Sequence, residues 1–177
     1  GGSGLASCTA DQTFSATTAS TSGTATDNAG NSASASFGPI NIDKTKPTIS
    51  ASATVNGAPY TSGAWTNQVV TVKFTCNDTG DSGLSGSCPA DQVFSAEGVF
   101  TSNAATVSDT AGNTSDPANT FSVKIDKTQP KAAPTLSPAA NAANWNNTDV
   151  TVTWNWSDTG GSGTDPANCT TSATSTG

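Results

Sequence analysis

Aspartates in short turns are the residues of this sequence with the clearest capacity for chemistry, because carboxylates can bind a cation. Asp27 lies in DNAGN and Asp109 in DTAGN, while Asp43 and Asp126 lie in two copies of IDKT. Carboxylates beside turn carbonyls are ligands that suit Ca²⁺, which would stiffen the joint that holds them. A simpler interpretation is that each aspartate accepts hydrogen bonds within its own turn, where the following glycine supplies positive φ. Both interpretations, calcium ligands or turn-forming residues, stay open at the level of sequence.

Catalytic chemistry is not indicated. The chain has no histidine, so it cannot build a Ser-His or Cys-His nucleophile pair. Asp78 and Asp81 could do acid–base work on a sugar, but both lie in NDTGDSG, which has the composition of a turn. The similar stretch SDTGGSG keeps Asp158 and has Gly161 in the place of Asp81. We therefore expect no catalytic residues and no enzymatic activity.

The four cysteines predict one disulfide. Cys76 and Cys88 lie on either side of a turn, and a bridge between them would stabilise a domain with a small core. Cys8 stands in the position of Cys88 in a similar stretch, so its partner is expected before residue 1. Cys169 corresponds roughly to Cys88, but Trp156 stands where the partner would be. Free thiols are the alternative, and zinc is disfavoured because histidine and CxxC are both absent.

Composition excludes several classes of partner. The net charge is −7, with six basic residues that are all lysine and are scattered along the chain. This balance disfavours nucleic acid and anionic membrane surfaces. No apolar run approaches the roughly 20 residues that a membrane-spanning helix needs, so membrane insertion is not expected in this segment. No organic cofactor is implied, and calcium is the one ligand considered.

Three blocks of sequence occur more than once in a fixed order, which indicates a tandem repeat. IDKTKP begins at Ile42 and IDKTQP at Ile125, an offset of 125 − 42 = 83 residues. The three blocks are GLASCTADQTFS, which resembles GLSGSCPADQVFS, ATDNAGNSA, which resembles VSDTAGNTS, and WTNQVVTVKFTCNDTGDSG, which resembles WNNTDVTVTWNWSDTGGSG. We predict a C-terminal part of one repeat at 1–43, a complete repeat at 44–126 and an N-terminal part of the next at 127–177. Pro47 and Pro130 are expected to stiffen the linkers between them.

Period-2 alternation predicts strands rather than helices. Val70, Val72, Phe74 and Cys76 alternate with polar residues, as in a half-buried strand. The corresponding stretch of the third repeat places Trp154 and Trp156 on the same inward side. Short strands separated by turn signals, in units of about 80 residues, favour antiparallel β-sandwiches.

The motifs IDKTKPTI, DNAGN and W-x-N-x-x-V-T-V resemble the bacterial immunoglobulin-like repeats of large extracellular surface and secreted proteins. The resemblance covers essentially the whole chain. It implies tandem immunoglobulin-like β-sandwiches that form a stalk, an adhesin or a filament at the cell surface. The implied partners are neighbouring repeats of the same chain, or identical chains in a fibre.

The alternative function is a carbohydrate-binding accessory module of a secreted enzyme. Trp65 and Trp145 precede the strongest strands and would stack on sugars if they were exposed, although such positions more often cover the end of a core. N-x-S/T triplets add candidate glycosylation sites for a host that glycosylates. These sites are Asn77, Asn113, Asn146, Asn155 and Asn168.

Overall fold

The fold is built from strands and turns. The computed structural model describes residues 2–165, 169 and 172–175. Within these residues there is no helix, and hence none long and apolar enough to cross a membrane. The strands are β1 (Leu5–Cys8), β2 (Thr21–Asp27), β3 (Ser32–Phe37), β4 (Thr48–Val55), β5 (Ala58–Pro59), β6 (Trp65–Thr66), β7 (Val70–Asn77), β8 (Gln92–Phe94), β9 (Gly98–Thr101), β10 (Ser122–Ile125), β11 (Thr135–Ser137), β12 (Val150–Thr153) and β13 (Ser172–Ser175).

These strands form four small sheets, in the orders β1-β2-β3, β6-β10-β9, β11-β12-β13 and β5-β4-β7-β8. The pairs β1–β2, β2–β3, β4–β5, β7–β8, β9–β10, β11–β12 and β12–β13 are antiparallel, whereas β6 and β10 run parallel. The prediction of an all-β protein with antiparallel sheets is confirmed. The chain divides into two compact units, one of Gly1–Ser50, Thr75–Pro89 and Ala105–Ala118, the other of Ala51–Phe74, Ala90–Ala104 and Asn119–Gly177. The predicted repeat boundaries at 43/44 and 126/127 stay a prediction.

The first unit contains the β1-β2-β3 sheet and several hydrogen-bonded turns. Small residues dominate β2 and β3, and every residue of β1 and β3 is exposed. The buried residues of this unit are Pro47, Asp109, Ser115 and Ala118. Polar groups are therefore a large part of what this unit buries, and their hydrogen bonds must compensate for lost hydration.

The second unit holds the apolar core. Val70, Val72, Val123 and Ile125 are completely buried, as expected for strands that turn alternate side chains inward. The Tyr60 hydroxyl accepts a hydrogen bond from the backbone N–H of Lys124 at 3.1 Å and donates to the carbonyl of Ala64 at 2.5 Å. The predicted inward side of β7 is thus confirmed from Val70 to Phe74.

The prediction that Trp154 and Trp156 point into a core is wrong. Their side chains are 39% and 41% exposed, and their rings stack with centroids 6.1 Å apart. The strand β12 ends at Thr153, and Asn155 has a positive φ of 48°. The alternation of the sequence continues through Asn155, but the extended backbone does not, so the inward side is lost.

The disulfide between Cys76 and Cys88 is present, with Cα atoms 5.6 Å apart and a sequence separation of 12. Cys8 and Cys169 are free. The bridge connects the end of β7 to the turn-rich segment that follows it. Because that segment has few buried apolar side chains, the bridge holds a part of the first unit that hydrophobic packing holds weakly.

We expect the double substitution Cys76→Ser and Cys88→Ser to lower the free energy of unfolding by roughly 2–3 kcal/mol, because the open chain gains the entropy of an unclosed loop. Urea unfolding followed by tryptophan fluorescence measures this. Cys8→Ser is the matched control, since this thiol is exposed and unbridged, and it should change stability by less than about 0.5 kcal/mol. An equal loss in both proteins would contradict a stabilising role of the bridge.

Candidate functional site

The carboxylate of Asp43 joins two segments that are far apart in sequence. Its Oδ2 accepts hydrogen bonds from the N–H of Ser82 at 2.9 Å and from the Ser82 hydroxyl at 2.6 Å. Its Oδ1 accepts the N–H of Thr45 at 2.8 Å. One side chain therefore closes its own turn and also binds the DTGDSG turn, 39 residues later.

Asp126 makes the same set of contacts in the second unit. Its Oδ2 accepts the N–H of Ser162 at 2.8 Å and the Ser162 hydroxyl, and its Oδ1 accepts the N–H of Thr128 at 3.0 Å. The aspartate of IDKT thus binds the serine of DTGxSG twice in this chain. We call each such pair, Asp43 with Ser82 and Asp126 with Ser162, a joint.

Each joint requires a glycine. A Cβ atom added to Gly80 would lie 2.3 Å from a carboxylate oxygen of Asp43, and one added to Gly160 would lie 2.1 Å from an oxygen of Asp126. These distances are far below van der Waals contact, so any other residue would push the carboxylate away from its serine. The glycine of DTG is therefore conformationally ordinary but sterically necessary.

A second turn adds to the first joint. Asp109 is buried, and its carboxylate accepts the backbone N–H and the side-chain Nδ2 of Asn113, each at 2.7 Å. The same Nδ2 donates to the backbone carbonyl of Asp43 at 3.1 Å. Asp27 has the same arrangement with Asn31, at 2.8 Å and 2.9 Å. The turn-forming interpretation of Asp27 and Asp109 thus describes their observed contacts.

Three carboxylates meet at the first joint. One oxygen from each of Asp43, Asp78 and Asp109 lies within 4.8 Å of the others, which is close enough to surround a cation. Asp78 accepts the N–H of Gly80 through Oδ1 at 3.0 Å. Its Oδ2 is the one buried side-chain oxygen of the described residues without a hydrogen-bond partner. Of the four predicted calcium ligands, Asp43 and Asp109 come together here, whereas Asp27 and Asp126 lie outside this cluster.

Sequence reasoning missed Asp78 as a member of the cluster because NDTGDSG was interpreted as a turn and Asp78 was weighed only for acid–base chemistry, not as a cation ligand. The available signal was the recurrence of aspartate before Thr-Gly, at Asp78 and Asp158. Asp158 repeats the local contact, since its Oδ1 accepts the N–H of Gly160 at 2.9 Å. The calcium assignment itself stays a prediction, because the hydrogen bonds of Asp43 and Asp109 already account for their positions.

Hydrogen bonding favours the charged form of the joint aspartates. The hydroxyl and N–H of Ser82 lower the pKa of Asp43, and those of Ser162 lower the pKa of Asp126. Asn31 lowers the pKa of Asp27 in the same way, first through its side chain and then through its backbone. These groups therefore stay ionised at neutral pH and act as hydrogen-bond acceptors.

The two tryptophans of the proposed sugar site differ in their surroundings. Trp65 is 37% exposed and lies under the ammonium group of Lys124, whose Nζ is 5.7 Å from the ring centroid. It also packs against Gly161, where an added Cβ would lie 2.3 Å from the ring. Trp145 is 74% exposed. Neither is part of the buried core, which corrects the expectation that both cover it.

The remaining predicted positions fall in varied places. Pro47 is buried and Pro130 is exposed. Asn77 is exposed, whereas the amide nitrogens of Asn146 and Asn155 donate to the carbonyls of Pro138 and Ala133 at 3.0 Å each. The amide of Asn113 is used by the joint, as described above. Asn168 lies outside the described residues, and glycosylation stays a prediction throughout.

Comparison of the chain with models of known protein families, with curated proteins and with solved structures gives no match. The arguments that follow therefore rest on the residues and their geometry.

We expect Gly80→Ala to lower the free energy of unfolding by about 1–3 kcal/mol, because the new methyl group overlaps the Asp43 carboxylate. Gly23→Ala is the matched control, since its Cβ would lie an ordinary 3.6 Å from its nearest neighbour, Thr9. Thermal unfolding of both variants tests this, and a Gly80→Ala protein as stable as Gly23→Ala would contradict the close approach.

The joints also predict how stability depends on pH. The pKa of Asp43 is lower in the folded chain than the ordinary value of 3.8, so the folded state binds fewer protons and is stabilised at higher pH. This stabilisation should be lost as the pH falls below about 4 and through the lower folded pKa. Melting temperatures between pH 7 and pH 2 should fall less steeply for Asp43→Asn than for wild type. Asp149→Asn, at an exposed position, should retain the wild-type slope.

Asp78→Asn separates the two interpretations of the carboxylate cluster. The substitution would replace Oδ2, an acceptor without a hydrogen-bond partner, by an N–H donor next to two carboxylates. It would also remove one of three neighbouring negative charges. We expect a higher melting temperature than wild type in EDTA, and the same difference in calcium. A calcium-dependent gain in wild type that disappears in Asp78→Asn would instead assign the cluster as a cation site.

Proposed function

We propose that the chain is a non-catalytic structural segment of an extracellular stalk, adhesin or filament, made of tandem immunoglobulin-like β-sandwich repeats. The recurring joint is the observation that carries this proposal. In it, the aspartate that ends one proposed repeat binds the DTGxSG turn of the next, at Asp43 with Ser82 and at Asp126 with Ser162.

A joint of this kind restricts the linker it spans. The IDKT stretch connects consecutive proposed repeats, and a proline follows each copy, at Pro47 and Pro130. Proline fixes φ, while the aspartate adds two hydrogen bonds with a charged acceptor, which are among the stronger protein hydrogen bonds. Together they favour a limited range of angles between neighbours, which is the property a stalk needs.

The chemistry of the joint supports a mechanical rather than a catalytic role. Its carboxylates accept hydrogen bonds from serine, threonine and asparagine, and the pKa values of Asp43 and Asp126 are lowered rather than raised. A general acid would need the opposite shift, towards neutral pH. The disulfide between Cys76 and Cys88 is consistent with an oxidising, extracellular location.

Small-angle X-ray scattering of the whole chain tests this function. A compact globule of this length would have a radius of gyration of about 16 Å, and we expect a clearly larger value. The double variant Asp43→Ala and Asp126→Ala should broaden the distribution of interatomic distances, because both joints lose their acceptor. Asp149→Ala serves as control and should match wild type.

The outcomes are distinguishable. A radius of gyration near that of a globule would overturn the stalk. An elongated wild type with an unchanged double variant would retain the stalk but remove the joints as its stiffening element. The same measurement with and without EDTA separates stiffness due to hydrogen bonds from stiffness due to calcium.

A carbohydrate-binding accessory module is the second candidate function. Two observations favour a sugar-binding role, since exposed aromatic rings stack on sugars. The ring of Trp145 is exposed, and Trp154 and Trp156 form a stacked, partly exposed pair. The module is distinguished from the stalk by retention of the chain on immobilised polysaccharide, lost on Trp145→Ala.

A further inference from the structure

A cavity lies beside the first joint. It has a volume of about 710 Å³ and is lined by residues that include Asn41, Ile42, Asp81 and Ser82. The corresponding positions of the next repeated sequence are Lys124, Ile125, Gly161 and Ser162. Similar local sequences therefore surround the cavity beside the first joint and the corresponding space beside the second joint, and the two can be compared.

Beside the second joint, the corresponding space is filled by Trp65. This residue pairs with Lys124 in the parallel ladder between β6 and β10, its ring lies under the lysine ammonium group, and it packs against Gly161. The cavity beside Asn41 and Asp81 is thus the place that a tryptophan takes in the other copy. Asp81 stands in the position of Gly161, where an added Cβ would lie 2.3 Å from the Trp65 ring, so a ring beside Asn41 would have to lie further from this position than Trp65 does.

A second observation concerns Cys8. Its thiol is free and exposed, whereas Cys88, its counterpart in the repeated Cys-x-Ala-Asp-Gln block, is bonded to Cys76 at the end of β7. The tryptophan of the filled copy and the cysteine that bonds Cys88 belong to one continuous segment, Trp65–Cys76. A single segment of this kind would therefore supply both a tryptophan for the cavity beside Asn41 and a cysteine for Cys8.

A third observation is the exposure of apolar side chains. Val123 and Ile125 are fully buried, but their counterparts Ile40 and Ile42 are partly exposed. Phe37 is 74% exposed and Leu5 is 69% exposed. The segment after β3 thus exposes apolar side chains whose counterparts Val123 and Ile125 are buried, and the sheet β1-β2-β3 exposes two more, Leu5 and Phe37.

We propose that residues 4–43 bind a strand segment of the Trp65–Cys76 type, which places its tryptophan beside Asn41 and forms a disulfide with Cys8. This inference rests on the repeat architecture of the proposed function. Disulfide formation removes two electrons and two protons from the two thiols, and a disulfide oxidant such as oxidised glutathione accepts them and is released as two thiols.

A second copy of this chain fits less well as the occupant. Its exposed Trp145 corresponds to Trp65 and could enter the cavity. Its position 156, however, is tryptophan where the segment needs the cysteine, so Cys8 would stay unbonded. The observations therefore favour a segment with both a tryptophan and a cysteine.

Covalent capture tests the proposal. The 177-residue chain is incubated in a glutathione redox buffer with a synthetic peptide that has the sequence of residues 44–79. We expect a mixed disulfide between Cys8 and the cysteine of the peptide, located by mass spectrometry of the digest. Capture should fall about tenfold with a Trp65→Ala peptide, because the ring would no longer hold the thiols together. A Cys76→Ser peptide should give no covalent product.

A fused chain avoids the solubility of the peptide as a variable. Residues 44–79 are placed directly before Gly1, and the reaction of Cys8 with a maleimide is followed under oxidising conditions. We expect Cys8 to react at least about tenfold more slowly than in the unmodified chain. The matched control places residues 127–159 before Gly1, which supplies Trp145 and Trp156 but no cysteine, and should leave Cys8 reactive.

Three results would overturn the proposal: unchanged reactivity of Cys8 in the fused chain, capture of the peptide equally at Cys169, or Cys8–Cys8 dimers as the main product with peptide present. Each of these leaves the scattering test of the stalk intact. A compact unmodified chain would overturn the proposed function even if Cys8 were captured.

Discussion

The hydrogen bonds from serine to a joint aspartate are the interaction on which the rest of this chain depends. The aspartate is ionised, it satisfies its own turn with one oxygen, and it holds a distant turn with the other. Around the first joint the structure offers little hydrophobic packing, since two of the four buried residues described in the first unit, Asp109 and Ser115, are polar. This part of the fold is stabilised by hydrogen bonds to charged acceptors and by a disulfide, where other proteins have a larger hydrophobic core. The glycine is needed because it leaves room for the carboxylate.

The two joints show how one local sequence can meet different surroundings. The carboxylate, the serine and the glycine are the same in both, and so are the contacts. The neighbouring position is Asp81 in one and Gly161 in the other, and only the glycine lies against a tryptophan ring. A short motif thus specifies its own geometry, whereas the space beside it depends on residues that the motif does not contain.

The strands were predictable where packing and pattern agree. The alternation from Val70 to Phe74 gave the buried side of β7, and the spacing of Cys76 and Cys88 gave the disulfide. The same reasoning failed at Trp154 and Trp156, because alternation does not reveal where a backbone leaves the extended conformation, and Asn155 does so. The joints could not be derived from local pattern, since each connects residues at least 36 positions apart. Their signal was the paired recurrence of an aspartate in one block with a glycine and a serine in another.

The disulfide has a consequence for a chain under tension. A pull on both ends that opened the fold would extend every residue except those enclosed between Cys76 and Cys88, which span 12 positions. At about 3.4 Å per extended residue, the stretched chain with the bridge intact would be shorter in contour length by roughly 40 Å. Load would pass through the sulfur atoms, so the loop would be spared extension, and the carboxylate cluster's Asp78 lies within that spared length.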